Sequence, residues 1–352
     1  MRSNQAPSFE KRFYHVKVKS LELAGLRELG QRMDQVQCQA FRMAYGKIWD
    51  LAMIEVTIEA IASLAQYYDQ SLRCFTFGDF QLVPTIEKFE GILGCSLGGR
   101  KPYLFSEFYP SMERVAKVVK ILAQELDRVK QNRNGVVGIP RQCLEERAKA
   151  LADQGKWTSF VDILALLVFK IVLFPNVDGL VDLAAIDAFL AYHYSKESPD
   201  IAILADAYDI FNLRCEKSNA RIVCCTPALY VWLVSHVFCH QGRHVCPLQG
   251  YHMCVEKEKS NWERLLASMV GASVSWFPRW KEGGAGVLCS YEGFPNIPLM
   301  GTRGYINYNP VLAIRQLGYP MRGASSEEII VPFVAQGFSE GNAKMLQRIQ
   351  KA

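Results

Sequence analysis

Apolar residues recur at three- and four-residue intervals along most of this chain, and the recurrence stops where glycine, proline or asparagine punctuates it. Leu51, Ile54, Ile58, Ile61 and Leu64 share one face and predict a single helix ending near Tyr67 and Tyr68. Val115, Val118, Val119, Leu122 and Leu126 predict another between residues 111 and 130. Glu113, Arg114, Lys117 and Lys120 lie on its other face, and residues 132–135 (Asn-Arg-Asn-Gly) are its stop. Pro140 is placed to start a helix carrying Leu144, Ala148 and Leu151 as far as Gly155. Residues 160–174 then form a deeply apolar run, residues 175–179 turn the chain, and Leu183, Ile186, Phe189 and Leu190 mark the next helix. Ser198, Pro199 and Asp200 open one through Tyr208, and Pro227 opens the aromatic run that follows it. Asn309 and Pro310 predict a last core helix through Val311, Ile314 and Leu317, with a weak terminal helix over residues 342–349.

Residues 74–103 carry the sharpest local pattern. Cys74, Phe75, Thr76 and Phe77 alternate like a short strand, and Gly78 and Asp79 supply a turn. Thr85 is an N-cap, its hydroxyl able to accept from first-turn amides, with Glu87 favoured at the positive end of the helix dipole. Ile86, Phe89, Ile92 and Leu93 form the buried face, Gly94 is the C′ residue, and Gly98, Gly99 and Pro102 forbid continuation. Further on, Trp276 to Trp280 and the glycines at 283, 284 and 286 read as short strands or loops. There is no internal repeat and no linker. The expectation is a mainly α fold, a single helical domain with a few short strands or hairpins. Residues 1–39 are a helical or extended lead-in, 40–320 the domain, and 321–352 an irregular tail with the weak terminal helix.

Half of the 352 residues are hydrophobic, enough for a sizeable core, and the formal charge of +5 is small for the length. Basic residues are interspersed with acids. Lys11, Arg12, Lys17 and Lys19, and Arg128, Lys130 and Arg133, read as solvated surface or dipole complement, so the charge pattern alone does not call for nucleic acid. The eleven cysteines are scattered, with Cys38, Cys74, Cys224 and Cys225 inside apolar segments, which favours reduced thiols packed as small hydrophobes. The N-terminus lacks an apolar signal region, so secretion is not expected. The run at 160–174 is fifteen residues long and contains Asp162 and Lys170, too short and too charged to span a bilayer, so no membrane association is expected.

The order FTFGDF then PTIEKFEGILGCSLGGRKPY, followed by WTSFVDILALLVF, CTPALYVWLVSH and the closing RGYINYNPVLAIRQLGYP, resembles the plant mobile domain, also called aminotransferase-like. It is most similar to a legume, retroelement-associated branch known only as a domain of unknown function. The resemblance spans about residues 40–320 and implies a mostly helical, transposable-element-derived domain with nuclear relatives. It supplies no catalytic residues. The aminotransferase-like label carries no chemistry here, because a pyridoxal phosphate enzyme needs a Schiff-base lysine in a cofactor site and no lysine sits in a recognisable one.

Four of the six histidines lie in SHVFCHQGRHVCPLQGYHMC, which holds His236, Cys239, His240, His244, Cys246, His252 and Cys254. On a helix, His236, His240 and Cys239 share a face and could seat zinc, completed from the following loop by His244, Cys246, His252 or Cys254. The intervals match no zinc-finger template, and Val237 stands where a metalloprotease needs glutamate. The plainer reading is core cysteines with histidines at a helix C-terminus, where positive charge suits the dipole, and no cofactor. Gly94 to Gly99 follows a helix instead of opening one, so it is a turn and not a phosphate loop. Asp178, Asp182 and Asp187 form no convincing two-metal cluster. Trp276, Arg279 and Trp280 are the best-marked interaction surface, with cation–π or stacking contacts available. The leading expectation is a non-enzymatic interaction domain that engages protein partners or itself. A nucleic-acid-processing enzyme and a zinc-stabilised DNA-binding module are the alternatives.

Overall fold

Helix boundaries in this protein are set by local caps and by arginines from distant segments. The computed structural model describes residues 15–94, 100–106, 108–217, 219–237, 258–276, 294, 296–309, 311–312, 327, 331, 334–336 and 343–351. The first helix, α1 (Ala24–Gly30), is followed by α2 (Gln35–Tyr45). The carboxylate of Asp34 accepts from Val36 N and Gln37 N, and the Gln37 side chain accepts from Asp34 N, a complete capping box. The stripe from Leu51 to Leu64 is not one helix. It divides into α3 (Ile48–Ala52) and α4 (Ile58–Leu64), because Arg27 donates to Ala52 O at 3.1 Å and Ile54 O at 3.5 Å and so satisfies carbonyls that helical continuation would otherwise pair.

The strands β1 (Tyr68–Asp69), β2 (Cys74–Thr76) and β3 (Gln81–Leu82) make a small antiparallel sheet that leads into α5 (Ile86–Leu93). As the sequence predicts, the Thr85 hydroxyl accepts from Lys88 N, and Gly94 closes the helix at φ 68°. The predicted 111–130 helix is also two, α6 (Met112–Val119) and α7 (Ala123–Val129), broken at Lys120 with φ 56°. Here Arg147 takes the carbonyls, donating to Val119 O and Lys120 O.

Residues 132–135 do more than stop a helix. Asn134 and Gly135 both have positive φ, and they join β4 (Gln131–Arg133) to β5 (Val136–Pro140) in a tight hairpin. Pro140 leads into α8 (Arg141–Asp153), which packs on α9 (Trp157–Val168), and α9 widens into a π-helical turn over Phe169–Leu173. β6 (Leu180–Asp182) pairs with β5 and runs directly into α10 (Leu183–Ser195). Then come α11 (Asp200–Glu216), α12 (Thr226–Val237) and α13 (Lys259–Ala267). A third antiparallel sheet, β7 (Ile297–Met300), β8 (Gly304–Tyr308) and β9 (Val334–Gln336), precedes α14 (Ala343–Lys351).

The result is a mainly α, single domain with small antiparallel sheets. Two centres organise it: α9 is surrounded by α1, α2, α3, α6, α8 and α10, while α5 packs on both α11 and α12. One apolar core runs through both, from Val16 to Ile349. The lead-in and tail belong to that core: Leu26 and Leu29 are buried, α2 crosses residue 39, and β9 pairs with β8 inside the stretch expected to be irregular. Of the helix predicted from residue 309, Asn309, Val311 and Leu312 are described, and the Asn309 side chain accepts from Val311 N at 3.0 Å. Lys19 is no solvated charge. At 6% exposure it donates to Pro175 O and Asn176 O and pairs with Asp178 at 2.5 Å, tying the N-terminal segment to the turn before β6. Cys74, Cys224 and Cys225 are buried and unpaired; burial pushes the Cys74 thiol up to about 11 and holds all three protonated, as packed apolar groups. Among the described residues, no helix is long and apolar enough to cross a membrane.

Candidate functional site

Of the histidine- and cysteine-rich segment, only His236 lies among the described residues; Cys239, His240, His244, Cys246, His252 and Cys254 fall outside them. His236 stands on the last turn of α12, which is apolar on nearly every side and therefore buried all round. It is not the exposed, dipole-complementing cation that its position at a helix C-terminus implies. Nδ1 lies 2.7 Å from Ser275 O and Nε2 lies 2.8 Å from the Nζ of Lys88, itself buried on α5. The carbonyl can only accept, so the proton sits on Nδ1 and the Nε2 lone pair faces the amine. Burial drives the Lys88 pKa far down, and burial followed by the nearby amine does the same to His236, so both favour their neutral forms. A zinc ion at His236 would have to displace one of these two contacts.

Trp276 is half-buried. Its Nε1–H donates to Gly271 O at 2.9 Å, and its ring stands edge-on to Phe80 with centroids 5.8 Å apart. Gly271 N in turn donates to the Asp79 carboxylate at 3.0 Å, so the predicted Gly-Asp turn and the tryptophan are fastened together. Arg279 and Trp280, the other two members of that expected surface, lie outside the described residues.

The three aspartates of the acidic segment each have separate partners. Asp178 pairs with Lys19 at 2.5 Å, and Asp187 accepts from the Tyr103 hydroxyl at 2.8 Å. Asp182 caps α10 through Ala185 N and holds Lys170 at 2.5 Å, a buried ion pair on the π-helical turn. Among the described residues, no group of three or more histidines, cysteines or acids could hold a metal ion.

The site that sequence reasoning missed is a cleft of about 390 Å³. Val136 and Val137 of β5, Leu183 of α10 and Ile210 of α11 give it apolar walls, while Tyr109, Thr302 and Arg303 supply polar groups. The turn between β7 and β8 is clasped to α11: Thr302 N and Oγ1 both donate to the Asp206 carboxylate, at 2.8 and 2.5 Å. A Cβ on Gly301 would sit 2.2 Å from the same carboxylate, so only glycine fits there. Arg303 donates from Nη2 to Asp206 O and Val223 O at 3.2 and 2.9 Å, and its buried Nε has no hydrogen-bond partner among the described residues. Burial raises the Asp206 pKa, and Asp209, one helical turn on, is pushed up to about 6 by burial against the opposing pull of Arg303. An anchored guanidinium beside apolar walls suits a carboxylate borne on an apolar segment. The sole sequence signal was the Gly-Thr-Arg-Gly run at 301–304, which no spacing rule singles out.

Residues 26–352 match the model of a family described as "Domain of unknown function (DUF7745)". No curated protein and no solved structure matches the chain.

Proposed function

The chain thus belongs to the DUF7745 family, whose description names no activity, and from that premise we propose that it is a non-enzymatic interaction domain of transposable-element origin that takes a segment of a partner protein into the Arg303 cleft. The cleft carries the reading. The carboxylate that lines it, Asp182, is already held by Lys170, and Arg303, anchored through Nη2 on Asp206 O and Val223 O, sets its guanidinium beside the apolar lining. Such a lining favours binding over acid–base work. The resemblance over residues 40–320 to plant mobile domains supports the transposable-element origin and a nuclear setting. Phosphoryl transfer would need two carboxylates on shared metal ions, and the separate partners of Asp178, Asp182 and Asp187 weigh against it.

Photo-crosslinking of the full chain in nuclear extract, from a probe residue at Tyr109, tests this. The expected result is a discrete set of crosslinked proteins that Val137→Arg or Arg303→Ala removes while the melting temperature is retained. A set unchanged by both variants would reject the cleft as the interaction site.

A further inference from the structure

Two helices end near one another on left-handed lysines: α6 on Lys120 at φ 56° and α10 on Lys196 at φ 57°. Cations at helix C-termini complement the dipole, and for an isolated lysine that would be explanation enough. Here the basic residues are laid on aromatic rings. Lys196 Nζ stands 5.4 Å from the Tyr192 ring centroid and 5.9 Å from that of Tyr45. Arg100 lies over Tyr192 at 5.7 Å and donates to its hydroxyl at 3.2 Å. Arg114, on α6, covers Tyr194 at 5.3 Å, and that ring is 48% exposed. The charges of Lys120 and Lys196 both reach His193, beside Tyr194, and those of Lys101 and Arg114 both reach Glu197. These pairings draw Arg100, Lys101, Arg114, Lys120 and Lys196 into one face around Tyr194.

The acids near this face lie deeper than its cations: Asp162, accepting from the Tyr45 hydroxyl at 2.7 Å, Asp187, accepting from Tyr103, and Glu197 are all half-buried, and Glu113 is exposed, as are all five basic residues. Among the described residues, none of Lys101, Arg114, Lys120 and Lys196 is in an ion pair, so their charges are not neutralised by a contacting acid. The modest charge of the whole chain therefore conceals a local excess of cations set among aromatic rings. That combination is the recognition chemistry of unpaired nucleotides: cations track phosphates, and an exposed ring offers a stacking surface to a base. A duplex hides its base faces, and an acidic peptide has no use for the ring.

We propose that this face binds single-stranded nucleic acid, with Tyr194 stacking on a base and Arg100, Lys101, Arg114, Lys120 and Lys196 contacting the phosphates. The reading is independent of the cleft. Fluorescence anisotropy of the full chain with a labelled oligo-dT of about 12 nucleotides, measured across a salt series, tests it. The expected log–log slope is about −3.5, from about five phosphate contacts. Tyr194→Ala should weaken binding about 10-fold and Tyr194→Phe should restore it, since the phenyl ring still stacks. Lys120→Ala with Lys196→Ala should flatten the slope by about 1.5, and Lys149→Ala, which removes a lysine paired with Glu28, should change nothing. Tyr194, Lys120 and Lys196 are exposed and Lys149 is partly so, and the variants should melt close to the parent. The proposal is overturned by absence of binding at low salt, by full affinity in Tyr194→Ala, or by equal competition from duplex DNA or polyglutamate.

Discussion

The domain buries two lysines in different ways. Around α9, Lys170 is turned inward by the π-helical end of the helix and meets the carboxylate of Asp182. Around α12, Lys88 meets the lone pair of a neutral His236. A full charge can be kept out of water when an opposite charge and good hydrogen bonds compensate it; beside a neutral base the cheaper course is to give up the proton. For both lysines burial lowers the pKa; at Lys170 Asp182 opposes the shift by charge and by a direct hydrogen bond, whereas at Lys88 the opposing charge is that of Glu87, which makes no hydrogen bond to the amine among the described residues. One buried amine thus belongs to an electrostatic clamp on the β6–α10 junction, and the other to a neutral hydrogen-bond chain from α5 through α12 to Ser275.

The largest effect should come from breaking the clamp. Asp182→Ala strands Lys170 and uncaps α10, with an expected cost of about 3–5 kcal/mol in urea denaturation. Lys88→Met should change stability by less than about 1 kcal/mol, since removing a desolvated amine offsets the unpaired His236 Nε2. Equal costs for the two variants would erase the distinction.

Next in size are two acid responses of opposite sign. His236 stays neutral in the fold, while in the unfolded chain it protonates near its ordinary value, so its contribution is lost at about 1.4 kcal/mol per pH unit below roughly 6.5. Asp209 has its folded pKa raised from 3.8 to about 6. Between those values the folded state binds the extra proton, so this carboxyl costs stability above pH 6 and the cost fades as pH falls toward 4. Asp209→Asn should therefore gain about 3 kcal/mol at pH 7 and then lose stability more steeply on acidification than the parent. Urea midpoints at pH 7 and 5 check both limbs, and parallel curves for parent and variant would show that Asp209 titrates normally. The smallest effect is at the start of α5: Thr85→Ala should cost about 0.5–1 kcal/mol, because its cap bond to Lys88 N is long, at 3.4 Å.

Thr85 and Gly94 were legible in sequence because each acts within its own turn. The breaks at residues 53–57 and at Lys120 were not, since the groups that relieve those carbonyls, Arg27 and Arg147, sit some 25 residues away along the chain. Lys88 left a trace that periodicity could have caught: it lies four residues before Ile92, in the same row of a helix face that has to be buried. The Thr302–Asp206 clasp left none, because its partners are 96 residues apart. Likewise the count of basic residues was readable, but their gathering around Tyr194 depends on how α6 and α10 pack against α9.

Glycine is the residue a helix terminus in the left-handed region ordinarily selects, and any other residue there costs about 1 kcal/mol. Lys120 and Lys196 both stand at such positions. Stability alone would therefore push mutation at either codon toward glycine or asparagine. A lineage whose charged face still has a ligand should retain lysine at both sites against that drift, and one that has lost its ligand should surrender these two positions before the rest of the patch decays.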